Sequence, residues 1–354
     1  MATNPRLKTN NFDLIRLLLA GIVCMVHAAE LSGQKSLYFL GDIFSSKLAV
    51  DSFFTISGFL IFMSYEKSSS LRSYAEKRIK RIYPAYLTIV MLCAFALFAI
   101  SSASFSQYFS LAWIKFLLAN LTFMNFIQPA LPGVFTGQEL DTVNGALWTI
   151  KIEVMFYIAV PIIVWMTRRL PRPPVLIALY VLSTLWSVFF THLYETHHSE
   201  AFAFLEKQLP GQLRYFIAGG LVYYYLETFQ RHVKWLVPVS LAVYVASIWL
   251  PLKAVEPLVL AVLVAFCALY CYLGNFGKFG DFSYGTYICH FPIIQTLTYF
   301  GLFAFNPFLG LATAVCLTLL AAILMWHLVE KRFLARNNHY VRAEAHTSTA
   351  PAPH

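Results

Sequence analysis

Charge is scarce in this chain. Asp, Glu, Lys and Arg make up 12% of its 354 residues, about half the share found in soluble globular proteins. Cysteine is scarce too: the six, Cys24, Cys93, Cys267, Cys271, Cys289 and Cys316, all fall in apolar stretches, so neither a disulfide framework nor a zinc site is indicated. Cys267 and Cys271 share a helix face, yet no histidine or third cysteine lies nearby, and they read as small packing residues. No metal site is expected. Internal repeats and low-complexity blocks are absent, which removes the half-to-half symmetry common in transporters. The net charge of +9 is spread in short clusters between apolar runs. That spread argues against a nucleic-acid partner and for membrane orientation.

What is abundant is hydrophobic sequence, 59% of residues, with a mean hydropathy of +0.64. The class is all-α, a polytopic membrane protein in contact with lipid. Runs suitable for spanning occur near 12–31, 47–65, 83–102, 147–166, 174–192, 211–228, 234–251, 255–273, 283–303 and 308–328, giving about ten transmembrane helices. A further run, 111–127, is settled by charge bias. If it does not cross, Arg6/Lys8, Lys67 to Arg81, Arg168/Arg169/Arg172, Arg231/Lys234, Lys278 and Lys331 to Arg342 all share one side, the cytoplasm, with both termini. It is therefore expected to be an interfacial or re-entrant segment of a long outer loop, with Trp113, Asn120 and Asn125 as its polar edge. The basic start and small residues after the first run resemble a signal peptide, but cleavage is not expected. The expected organisation is a cytoplasmic segment 1–10, one integral membrane domain 11–333 and a short disordered cytoplasmic tail 334–354.

Ionisable residues inside spanning segments are costly and by default mark function. The first helix carries Asp13, Arg16 and His27. Arg16 and His27 lie eleven residues apart, on one face and separated by about 16 Å, with Ala20 and Val23 between them. Asp13 and Arg16 have the spacing of a simple i, i+3 pair. By helix direction, His27, Asp51 of VDSFFTISGFLI and Glu153 of LWTIKIEVMFY occupy one outer layer. A carboxylate beside an imidazole suits a general base acting on a hydroxyl. A structural cluster, or the proton relay of a glycan exporter or proton-coupled permease, fits the same depths. On the inner side, Leu71 to Arg81 reads as an amphipathic surface helix, with Pro84 opening the third span. Arg78 and Arg81 share a face suited to phosphate, and basic inner loops are also ordinary orientation signals. In GDFSYGTYICHFPII, Asp281 or Ser283 caps the ninth helix, and His290 and Tyr287 are additional candidates. Phe135 in the outer loop is a candidate sugar-stacking residue or an interface anchor.

The segments LIRLLLAGIVCMVHA, VDSFFTISGFLI, KRIKRIYPAY, GALWTIKIEVMFYIAVP, FSYGTYICHFPI and LVEKRFL, in that order, resemble the acyltransferase family 3 integral membrane O-acyltransferases. These modify cell-surface polysaccharides, lipopolysaccharide, Nod factors and related glycans. The resemblance runs from about residue 10 to 333. It implies ten spanning helices in a bacterial inner membrane and no permanently bound cofactor. It also implies acetyl-CoA or another acyl-CoA as donor from the cytoplasm, a glycan or lipid-linked sugar as acceptor, and His27, Arg16, Arg78, Arg81 and Glu153 as functional positions. Two departures stand out. Glu153 is followed by Val154 where the family commonly has a second acid, and the outer SGNH esterase-like domain of some members is not seen, so the membrane domain is expected to perform the final transfer. The expected route places CoA phosphates on Arg78 and Arg81, Arg16 at a channel mouth and the thioester at His27. His27 then acts as general base or transient acyl carrier, with Asp51 or Glu153 orienting it.

Overall fold

The computed structural model describes residues 5–7, 9–247, 249–250 and 252–334. The expected N-terminal segment 1–10 is therefore covered only in part, and the expected tail lies outside the described residues except for Leu334. Every expected apolar run overlaps a helix. The main ones are α1 (Phe12–Ser32), α2 (Ser46–Glu66), α3 (Leu71–Ala96), α4 (Leu111–Leu121), α5 (Trp148–Arg169), α6 (Arg172–His197), α7 (Leu209–Tyr224), α8 (Leu226–Ala246), α9 (Glu256–Tyr270), α10 (Ser283–Tyr299) and α11 (Pro307–Met325). Among the described residues, six stretches are long and apolar enough to cross a membrane: Phe12–Ser32, Lys35–Glu66, Leu71–Ile100, Gly145–Arg169, Arg172–His197 and Pro307–Phe333. Helices α7, α9 and α10 are shorter, with 16, 15 and 17 residues, and α8 carries Glu227, Arg231 and Lys234 near its start.

The described chain divides into two compact units, each assembled from separated stretches. The first comprises residues up to Phe12, Val50–Ala75 and Ile152–Asn275. Its core is aromatic. Phe156 stacks on Phe216 at 4.3 Å between ring centroids and meets Phe54 edge-on at 5.3 Å. Helices α2 and α7 approach so closely that a Cβ at Gly58 would collide with the carbonyl of Phe216, the small-residue contact that lets helix backbones touch in lipid.

The second unit comprises Asp13–Ala49, Glu76–Lys151 and the described residues from Phe276 on. Here α10 packs on α11, and α10 is buried continuously from Ser283 to Pro292. A proline inside a helix removes one N–H and frees the carbonyl four residues earlier. Pro292 thus frees the carbonyl of Ile288, which accepts from Asn144 Nδ2 at 2.9 Å. In the first unit, Pro161 of α5 likewise frees the carbonyl of Tyr157, and the Tyr74 hydroxyl donates to it at 3.1 Å. Both kinks are bridged by side chains from outside their own helices.

Three sequence expectations change. Leu71 to Arg81 and the third span form one continuous helix, with Pro84 inside it rather than opening it. The proline costs that helix one backbone bond but does not break it. Asn120 and Asn125 do not form a polar edge, because both are buried. Asn120 Nδ2 donates to the carbonyls of Phe116 and Gln128 at 2.9 and 3.2 Å. Phe135 is fully buried, so no sugar stacks on it. The run from 111 holds the 11-residue α4, about 17 Å long where a crossing takes about 30 Å.

Candidate active site

Helix α1 builds two polar centres of the second unit, one at each end. Near its start, Arg16 Nη1 donates to Asp281 Oδ2 at 2.8 Å. Arg81 of α3 donates to the same carboxylate oxygen through Nη2, and its Nη1 donates to Glu330 Oε2 at 3.0 Å. The other oxygen of Asp281 accepts from the Ser283 backbone N–H at 3.0 Å and from its hydroxyl at 2.5 Å, so the residue also caps α10. Asp281 and Glu330 are almost wholly buried, at 1% and 2% exposure, against 18% for Arg16 and 12% for Arg81. Burial alone would raise the Asp281 carboxyl. The Arg16 and Arg81 guanidiniums and the Ser283 donors outweigh it and hold the group well below the usual carboxylate range.

Local backbone explains how both acids arrive there. Residues Trp326–Glu330 form a π turn continuing α11, and this widened turn delivers Glu330. Gly280, next to Asp281, has φ +113, and a Cβ there would run into the buried Trp326 indole. A glycine before one acid and a π turn before the other thus seat the two segments together.

About three turns further along α1, His27 Nδ1 lies 2.8 Å from His290 Nε2 of α10. His290 is fully buried and His27 half-buried. The Arg16–Asp281 and His27–His290 contacts, eleven and nine residues apart on their chains, set α1 and α10 side by side and parallel. His290 Nδ1–H donates to the Thr286 carbonyl at 3.3 Å. Phe291 presents its edge to His27 with centroids 5.7 Å apart, and its ring fills the space a side chain at Gly145 would need. The Tyr287 hydroxyl lies 2.8 Å from Thr149 Oγ1, and its ring is 5.8 Å from that of His290.

The structure thus brings Arg16 to Arg81 through Asp281, and His27 to His290 with Tyr287 beside it. Arg78 lies one turn before Arg81 and is half-buried. Asp13 sits in the first turn of α1, also half-buried, while Arg16 bonds across to Asp281. Asp51 and Glu153 belong to the first unit. Asp51 is buried, and Glu153 Oε1 accepts from the Tyr157 hydroxyl at 2.7 Å. Ala20 and Val23, which lie between Arg16 and His27 on α1, are fully buried, so α1 is packed at these two positions.

Two site residues escaped the sequence reading. Asp281 registered only as a cap, and Glu330 only as part of LVEKRFL. The available signal was an acid at the edge of an apolar run within a shared motif. Nothing in the sequence marks the π turn that turns Glu330 inward.

Residues 9–327 match the sequence profile of acyltransferase family 3, described as an acyltransferase domain, and the chain belongs to that family. It is an acyltransferase of the O-acetyltransferase type, embedded in the membrane by its many helices. Among its relatives, the O-acetyl transferase of Shigella phage Sf6 is 29% identical over 340 residues, covering 94% of this chain and 98% of that protein. Nodulation protein 10 of Rhizobium leguminosarum bv. viciae is 28% identical over 343 residues, covering 91% and 92%. No solved structure matches the chain. Family membership decides between the transferase and permease readings in favour of the enzyme.

Proposed function

We propose that this protein moves an acetyl group from acetyl-CoA, presented on the cytoplasmic side of a bacterial inner membrane, to a hydroxyl of a cell-surface or lipid-linked glycan. In this reading the chain crosses ten times with both termini cytoplasmic, and α4 lies in an outer loop without crossing. The observation that supports the reading is the pair of centres on α1: clustered guanidiniums near its N-terminal end and an imidazole pair about three turns further along. The name of the phage relative supports acetyl as the group transferred.

His27 takes the proton from the acceptor hydroxyl as its oxygen attacks the thioester carbonyl. The C–S bond then breaks, the new C–O ester bond stays, and the departing CoA thiolate takes the proton from His27. Arg78, with Arg16 and Arg81 held in place by Asp281, supplies positive charge for the CoA phosphates. Because the α1 face at Ala20 and Val23 is packed, the donor arm reaches His27 only if that face parts or by another route. Asp51 and Glu153 are assigned to the reaction on their sequence motifs. The test is mass spectrometry of surface glycans from cells with and without the protein. Loss of the acetyl mass increment is expected on deletion, and unchanged glycans would refute the reading.

A further inference from the structure

The imidazole pair has a direction that its hydrogen bonds determine. A backbone carbonyl only accepts, so the bond from His290 Nδ1 to the Thr286 carbonyl at 3.3 Å puts a hydrogen on Nδ1. In a neutral imidazole the other nitrogen, Nε2, is then a lone pair. His27 Nδ1 stands 2.8 Å from His290 Nε2, so to bond to that lone pair it must carry a hydrogen of its own. By the same rule His27 Nε2 is left as the acceptor. The sequence of bonds runs one way, from His27 through His290 to the backbone of α10.

We propose that His290 is the positioning residue of the transfer reaction: it holds His27 in the Nδ1–H tautomer and so keeps Nε2 as the nitrogen that receives the acceptor proton. This rests on the acyl-transfer reading of His27 above. When Nε2 takes that proton, the positive charge on His27 spreads to an Nδ1–H already aimed at the His290 lone pair. No further proton has to move. A carboxylate is the usual partner at this place; a buried neutral imidazole does the orienting without a second charge in an apolar layer, where an extra charge is costly.

The surroundings of His290 are braced for such a task. Asn144 takes up the carbonyl that Pro292 frees, fixing α10 at the turn that carries His290. Phe291, seated against Gly145, closes on the His27 ring from the side. Thr149 steadies Tyr287, one turn from the same ring. These contacts all belong to the second unit, and they limit the rotation that would exchange the two nitrogens.

The test uses the full-length protein in membranes, with radiolabelled acetyl-CoA as donor and the bulk surface glycan of the producing cells as acceptor, scoring kcat and the KM for acetyl-CoA. His290→Gln keeps an acceptor where Nε2 stands; His290→Asn is polar but too short to reach His27; His290→Leu removes both bonds. The expected result is a kcat within about tenfold of wild type for glutamine, and a fall of roughly 100-fold for asparagine and leucine, with KM within about threefold throughout. Membrane abundance is measured in parallel, and if the leucine variant does not insert, the comparison of glutamine with asparagine carries the test. Equal losses in glutamine and asparagine, or full kcat in leucine, would overturn the proposal. The two readings separate cleanly: full transfer by His27→Ala sinks the acyl-transfer role of His27, whereas an inactive His27→Ala beside a fully active His290→Leu sinks the positioning role alone.

Discussion

Arg81 donates to the same oxygen of Asp281 that receives Arg16, so one buried carboxylate holds guanidiniums from α1 and α3 at the start of α10. Removing one partner of a buried ion pair typically costs about 3–5 kcal/mol when the charge left behind goes uncompensated, and here the bond from Arg81 to Glu330 offsets part of that cost. Asp281→Asn is therefore expected to lower thermal stability sharply and to reduce the amount of protein in the membrane. Melting in detergent against wild type checks it, and an unchanged midpoint would refute the clamp.

The pH dependence of that clamp has a definite sign. The folded Asp281 carboxyl lies below its ordinary value of about 4, so its contribution is complete well above that value and is lost progressively as pH falls from there through the depressed one. The stability difference between wild type and Asp281→Asn is thus expected to stay constant from pH 7 to about 5 and to shrink below it. A difference that already shrinks between pH 7 and 5 would contradict the assignment.

Arg78 and Arg81 are separable by what each one loses. Arg81→Ala breaks bonds to Asp281 and Glu330 and is expected to destabilise the protein. Arg78→Ala is expected to raise the KM for acetyl-CoA by about tenfold, the size of one lost charge-assisted phosphate contact. An unchanged KM counts against the phosphate role.

Gly280→Ala adds a Cβ at φ +113 and against the Trp326 indole. The substitution is expected to cost about 2 kcal/mol or more and to lower activity, because it shifts both segments that deliver Asp281 and Glu330. Calorimetry and acetyl transfer measured on the same sample check both effects, and a variant as stable and active as wild type would refute the seating.

Apolar length made the helices legible in the sequence, and helix direction placed Arg16 and His27 at opposite ends of α1. What lay beyond reach depended on partners distant in the chain. His290 stood out in the sequence only as an additional candidate, because its partner His27 is 263 positions away. Asp281 looked like a cap because capping uses only one of its oxygens; the other is claimed by residues about 200 and 265 positions away. Pro84 misled in the opposite sense, since a proline that suits a first turn is also tolerated inside a long helix whose neighbours stabilise it.

The central claim is that His27 performs the proton transfer. Its most direct test is acetyl transfer from radiolabelled acetyl-CoA to surface glycan in membranes carrying His27→Ala, with insertion verified by the amount and melting of the protein. The expected result is a correctly inserted protein with transfer abolished. Wild-type transfer by that variant would contradict the claim.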